Sequence, residues 1–347
     1  KGTLMNEFLA YPGDRRRLLC DQAQYRLGLP PAAIEKDFWV YWTLQRLFAL
    51  PEWGARFTFK GGTSLSKGWG LIDRFSEDID IVIHRAALGF GDDRAPERAP
   101  SRKQTRRRLE ELSQSATRCV METIRPLLGE DITRMVPSEM RWELAQNPDD
   151  PDAQTLLLAY PAAFDPHRAY IRPLVKIEFG ARSDTDPSET IQVAPLLVAA
   201  FPDFFQEPRF PVEAVSPRRT FWEKAMLLHE ETFRPSTSHR KARMARHYYD
   251  LYRLIRAGIG LEAAADLALF DRIAAHRQVY FRYTWVDYGT LCPGRLTLVP
   301  PAEQLALWRA DYAAMGEEMF FTQPPGFDEL IETIREFQEQ LHAAQSR

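Results

Sequence analysis

Cysteine is almost missing from this 347-residue chain: Cys20, Cys119 and Cys292 stand far apart, with no Cys-x-x-Cys pair among them. Such spacing supports neither a zinc site nor a disulfide framework, and it fits a reducing cytoplasm. Histidine is scarce as well, and its seven residues show no metal-ligand spacing. That argues against a phosphatase or nuclease that adds histidine ligands to clustered carboxylates. Long apolar runs are absent too. The longest, 156–159 and 194–201, fall well short of the ~20 residues of a membrane-spanning helix. Nothing near Lys1 reads as a signal peptide, and no internal repeat or low-complexity tract is present. A net charge of −3 does not announce a nucleic-acid binder, while 45% apolar and 27% charged residues describe a globular chain of one large or two ordinary domains.

The charge distribution is more telling than its sum. From Ser216 to Arg256 there are ten Lys/Arg against four Asp/Glu, a local excess suited to holding phosphates. A second basic cluster, Arg102–Arg108, has five positive charges in seven residues. It opens a helix over about 101–128, and Glu110 and Glu111 favour a solvated helix face over an RNA contact there.

The most informative stretch is Phe59-Lys60-Gly61-Gly62-Thr63-Ser64-Leu65-Ser66-Lys67, followed by Arg74-Phe75-Ser76-Glu77-Asp78-Ile79-Asp80-Ile81-Val82-Ile83. Side chains alternate across a strand, so Asp78 and Asp80 share one face and the isoleucines the other. Adjacent carboxylates repel unless a positive charge, commonly a divalent cation, lies between them. Glycines permit close backbone approach to a phosphate, and the hydroxyls of Thr63, Ser64 and Ser66 can bond its oxygens. A strand over 56–60 leads into the glycine turn, and a short helix over 63–70 begins there, a natural anion site. Phosphate cradle and carboxylates together point to chemistry on a nucleoside triphosphate.

Further along, a Pro31-initiated helix runs to about residue 50. Strand 79–84 precedes a mobile loop, and strands 139–144 and 154–160 make a hairpin about the Asn147–Asp152 turn. In Arg172–Phe179, Val175, Ile177 and Phe179 point one way and Lys176 and Glu178 the other, so Glu178 is a candidate third carboxylate. Beyond Pro217 the pattern is helical to the end, with a boundary near 200–217. Helix 221–231 contains Lys224. In helix 243–254, Met244, Tyr248, Leu251 and Ile255 form the buried stripe, with Arg243, His247 and Asp250 together on one flank. An i, i+4 surface pair with Arg246 would ordinarily explain Asp250.

The glycine pair followed by Asp-x-Asp resembles the signature of the nucleotidyltransferase superfamily that includes DNA polymerase beta. Fifteen residues separate Gly62 from Asp78, which is long for the minimal signature. The fuller string GGTSLSK…RFSEDIDI resembles the AbiEii/AbiGii toxin family, and Lys224 and the Tyr-Asp-Leu at Asp250 match its later motifs. The family's Arg-Asp pair appears instead as Arg246-His247, and 298–321 is also similar to the family's tail.

The resemblance implies an α+β fold. A nucleotidyltransferase domain with a mixed sheet would span 1–210, and a mostly helical domain 211–347, in a bilobed arrangement. It implies Mg²⁺ (or Mn²⁺) held by Asp78, Asp80 and Glu178, and an NTP gripped by Gly61, Gly62, Thr63 and Ser64, with Arg74 and Lys224 as cationic partners. Asp250 would orient Lys224 or assist the nucleophile, and Ser76, close in sequence to the metal strand, is a possible self-modified acceptor. A type IV toxin–antitoxin role in phage defence would follow, with a cognate antitoxin and transfer of NMP to an acceptor, most simply a tRNA 3′ end. A protein hydroxyl as acceptor and a catalytically silent nucleotide- or RNA-binding regulator remain as alternatives.

Overall fold

The computed structural model describes residues 8–345 apart from 166–170, 204, 206–208 and 321, and for 317 and 318 the backbone alone. The chain divides into two compact units, one made of 1–68 and 77–214, the other of 69–76 and 215–347.

The first unit is built on a seven-stranded mixed sheet. Its strands are β1 (Phe57–Lys60), β2 (Ile79–Ile83), β3 (Glu143–Gln146), β4 (Thr155–Ala159), β5 (Leu174–Gly180), β6 (Ser188–Val193) and β7 (Phe210–Val215), in the spatial order β3-β4-β5-β2-β1-β7-β6. β2 runs antiparallel to β1 and parallel to β5. The alternation expected of these strands is present: Ile79, Ile81, Val175, Ile177 and Phe179 are buried, while Asp80, Lys176 and Glu178 are only partly so. β6 and β7 were not expected. Pro211 lies within β7, and proline cannot donate to a ladder, so it ordinarily counts against a strand interior. The hairpin is real but displaced, pairing β3 with β4 antiparallel.

Helices α1 (Gly13–Leu27) and α2 (Pro31–Phe48) belong to the same unit. α2 starts at Pro31, whose fixed φ suits a first helical position. It buries Phe38, Trp39, Tyr41, Trp42 and Leu44, with Trp39 stacked on Tyr160 at 5.3 Å between ring centroids. The short α3 (Gly61–Lys67) joins β1 to the segment before β2. The loop expected to be mobile is instead three 3₁₀ turns within 85–98, and the Arg108 guanidinium donates to the Asp93 and Ala95 carbonyls of that loop. Arg108 lies on α4 (Arg102–Arg118), where Arg106–Glu110 and Arg107–Glu111 make i, i+4 pairs on an exposed face. A π-turn (Cys119–Ile124) carries α4 into α5 (Arg125–Met135), and α6 (Leu196–Ala200) follows β6.

The second unit is helical: α7 (Pro217–Thr232), α8 (Arg246–Arg256), α9 (Ile259–Ala264), α10 (Leu267–Tyr280), α11 (Ala302–Met319) and α12 (Phe327–Gln345). Its core closes around Trp222, which packs edge-on to Phe270 at 4.9 Å and donates its indole N–H to the Ala263 carbonyl. α8 starts three residues later than the periodicity predicts. Arg243 takes a left-handed φ of 64° there, and the Asp311 carboxylate accepts the backbone N–H groups of Arg243 and Ala245 at 2.7 Å. A distant acid thus caps the start of the helix. Of the expected stripe, Met244, Tyr248 and Leu251 are buried and Ile255 half-buried. Among the described residues no helix is long and apolar enough to cross a membrane.

Candidate active site

The turn from β1 into α3 shows why a glycine stands at 61. Its φ is +83°, and a Cβ there would lie 2.0 Å from Asp80 Oδ2. Only a residue without a side chain allows the Asp80 carboxylate to rest against this turn. Beside it, Thr63 and Ser64 are fully buried. Thr63 Oγ1 donates to the Asp78 carbonyl at 2.5 Å and Ser64 Oγ to the Gly61 carbonyl at 3.1 Å. Both hydroxyl protons are therefore directed to protein carbonyls: Thr63 fastens the segment that carries Asp78, and Ser64 braces the turn. Gly62 is half-buried at the same turn.

The sheet register gathers the acids. Asp80 lies directly across the β2–β5 ladder from Glu178, and on its other side across from Lys60 of β1. Neighbours in a ladder row share a face, so Lys60, Asp80 and Glu178 form one row. Two residues back along both strands stand Asp78 and Lys176. The Lys176 ammonium is ion-paired with Glu178 Oε1 and lies 4.0 Å from Asp78 Oδ2. Lys60 Nζ donates to Ser183 Oγ at 2.8 Å.

Burial, followed by the neighbouring Glu178, pushes the Asp80 carboxyl up to about 7. Burial also raises Asp78, against the pull of Lys176. Lys176 itself is raised: burial works to lower it, but the hydrogen bond to Glu178 and the charge of Asp78 prevail. The row is an anionic cluster short of positive charge. Among the described residues no three His, Cys, Asp or Glu side chains stand close enough to hold a metal ion as they are placed. The donors are nevertheless the hard carboxylate oxygens that Mg²⁺ takes, and the ladder fixes two of them opposite each other. In donor chemistry the set fits a divalent ion.

The second unit carries the other candidates. Arg74 donates through Nε and Nη2 to the two oxygens of Asp250 at 2.6 and 2.8 Å, and Lys224 Nζ stands 2.8 Å from Asp250 Oδ2. All three residues are buried, Asp250 completely. The surface pair with Arg246 that would ordinarily explain Asp250 is not what forms; its partners come from the 69–76 segment and from α7. Burial would raise Asp250, but Arg74 and Lys224 hold it far below the usual carboxylate range. Lys224 is lowered, first by burial and then by Arg74, with Asp250 opposing. His247 Nδ1 is 3.4 Å from Lys224 Nζ, and burial together with Lys224 holds that imidazole neutral. The cluster keeps two cations on one anion, a surplus of one positive charge. Arg243 is exposed, and Ser76 is half-buried.

Three consecutive charged residues on α2, Glu35, Lys36 and Asp37, are buried, and each fastens a different segment. Glu35 accepts the Ala163 N–H at 2.8 Å, Lys36 pairs with Glu77 just before the acid strand, and Asp37 pairs with Lys67 and accepts the Leu196 N–H at 2.7 Å. The available signal was three charges set inside an otherwise aromatic helix face.

Residues 42–339 match the model of the family described as nucleotidyl transferase AbiEii toxin, type IV TA system. The chain belongs to that family. It is accordingly a nucleotidyltransferase toxin of a type IV toxin–antitoxin system, which acts on an NTP and has an antitoxin as its counterpart. No curated protein matches the chain. Among solved structures it is similar to MenT4, a nucleotidyltransferase toxin from Mycobacterium tuberculosis H37Rv, with 20% identity over 95% of this chain and 98% of that one, at a TM-score of 0.35.

Proposed function

We propose that this AbiEii-family chain is a Mg²⁺-dependent enzyme that transfers NMP from an NTP to a tRNA 3′ end, arresting growth on phage infection until a cognate antitoxin counters it. The observation that carries the chemistry is the placement of Asp80 opposite Glu178 in the β2–β5 register, with Asp78 two residues away. Asp78, Asp80 and Glu178 would hold the ion. When bound, it neutralises triphosphate charge and makes the attacking hydroxyl more acidic.

The chain's own groups account for the rest. The Gly61–Gly62 turn offers backbone to the phosphates, while Thr63 and Ser64 brace that turn and the strand beyond it. Glu178, opposite Asp80 in a row short of positive charge, is the group suited to accept the hydroxyl proton as pyrophosphate leaves. Lys224 and Arg74 supply the surplus positive charge for phosphate, and Asp250 orients both. The basic 216–256 stretch and the scarcity of cysteine favour an RNA acceptor and a cytoplasmic setting.

The test incubates the protein and its Asp80→Ala variant with Mg²⁺, each α-³²P-labelled NTP in turn, and total tRNA. Label on RNA with the intact protein alone is the expected result and names the base. Label on the protein redirects the acceptor to a hydroxyl such as Ser76. Full transfer by Asp80→Ala overturns the assignment of the acids.

A further inference from the structure

Lys176 and Lys60 are the charged residues of the acid face that the reaction above does not use, and Lys176 is the one paired with the acids assigned to the ion. Strand alternation turns it to the same side as Glu178, and it adjoins Ile177, whose ladder partner Ile79 follows Asp78. Its ammonium pairs with Glu178 Oε1 and approaches Asp78 Oδ2 at 4.0 Å. It thus lies among the oxygens assigned to the divalent ion. Lys60, the other cation of the row, is held toward Ser183 at 2.8 Å. Lys176 is a third exposed at its side chain and sits on a flexible four-carbon stem, so it is free to swing.

We propose that Lys176 is the resident counter-cation of the acid row, and that a divalent ion and this ammonium compete for the oxygens of Glu178 and Asp78. The proposal rests on the assignment of Asp78, Asp80 and Glu178 as the metal-holding set. Two cations cannot share those lone pairs without repelling each other, so a metal arriving alone must eject Lys176. A triphosphate arriving with the metal gives the displaced ammonium a new anionic partner. Metal and nucleotide then bind cooperatively, and the toxin does not load metal fully in the absence of its substrate.

The experiment measures Mn²⁺ binding by EPR of the free ion, without nucleotide and then with inorganic tripolyphosphate. The proteins are the wild type, Lys176→Gln, Lys176→Arg and Asp80→Asn. Lys176→Gln is expected to bind Mn²⁺ alone at least tenfold more tightly than wild type and to gain less from tripolyphosphate. Lys176→Arg, which keeps the charge, is expected to follow wild type. Near-UV circular dichroism of each variant reports that the fold is retained. Equal or weaker Mn²⁺ binding by Lys176→Gln, with Asp80→Asn abolishing binding, overturns the role of Lys176 and leaves the metal assignment standing. Binding that is absent from wild type and Lys176→Gln alike, or that survives in Asp80→Asn, overturns both.

Discussion

Arg74 and Asp250, 176 positions apart, meet in a bidentate pair at 2.6 and 2.8 Å, and Lys224 reaches the same carboxylate at 2.8 Å. The pair ties the 69–76 segment to α8, and Arg253–Asp73 and the Phe75 N–H to the Met319 carbonyl add two further ties. Removing Asp250 leaves two buried cations facing each other. Asp250→Ala is expected to cost about 3–5 kcal/mol in urea denaturation, because breaking a buried pair strands uncompensated charge. The double variant Asp250→Ala, Lys224→Met should recover part of that loss. No recovery in the double variant would show that Arg74 alone sets the cost.

Gly61 offers a sharper test of the acid row. Alanine there must adopt a φ of +83° and place its Cβ 2.0 Å from Asp80 Oδ2. The backbone cost is about 1–2 kcal/mol for a non-glycine residue in the left-handed region. The larger effect is on chemistry, since Asp80 has to withdraw from the turn. A displacement of about 1 Å in a reacting group can cost roughly a hundredfold in rate. Gly61→Ala should therefore retain most of its stability while losing about two orders of magnitude of transfer. Wild-type turnover in this variant would detach Asp80 from the reaction.

How much of this could be read from the chain varied with how local the cause was. The alternation at Asp78–Ile83 and at Leu174–Phe179 fixes which side chains share a face, and those strands formed as expected with Asp80 and Glu178 on one row. Pro31 and the aromatic face of α2 likewise marked a helix whose bounds hold within two residues. The hidden parts all depended on partners distant in sequence. Asp250 was expected beside Lys224 from the resemblance, but the residues alone offered only an i, i+4 pair with Arg246, because no local pattern announces Arg74. Thr63 and Ser64 were read as phosphate ligands, and no rule of spacing shows that their hydroxyls also donate to the Asp78 and Gly61 carbonyls. β7 was concealed by Pro211, whose missing N–H counts against a strand.

Glu35 makes the stability of the protein dependent on pH in a definite sense. Burial pushes its carboxyl up to about 7, while the Ala163 N–H, Arg16 and Arg17 pull the other way. Cys20 and Tyr160 are titratable groups that also feel its charge. Because the folded protein holds this proton more tightly than the unfolded chain, the contribution is fully present below the unfolded value near 4.5. It is lost as pH rises through about 7. A shift of this size corresponds to about 3 kcal/mol between those limits. Glu35→Gln keeps an acceptor for Ala163 and cannot titrate. The wild type should lose stability relative to Glu35→Gln between pH 4.5 and 7 in parallel urea titrations. Parallel curves across that window would mean that Glu35 is ionised in the folded protein throughout.

Thr63 separates two ways in which the glycine-rich turn can serve the reaction. If its hydroxyl held a phosphate, its loss would weaken NTP binding. The hydroxyl instead donates to the Asp78 carbonyl at 2.5 Å from a fully buried position, so its loss should loosen the segment that presents Asp78. Thr63→Val preserves shape and removes the hydroxyl, with the lost hydrogen bond costing about 0.5–1.5 kcal/mol. Turnover is expected to fall roughly ten- to a hundredfold through misplacement of the acid, with KM for the NTP nearly unchanged. Thr63→Ser, which restores the donor, should recover most of the rate. A rise in KM with kcat intact would reverse the assignment, making Thr63 a phosphate ligand whose contact with Asp78 is incidental.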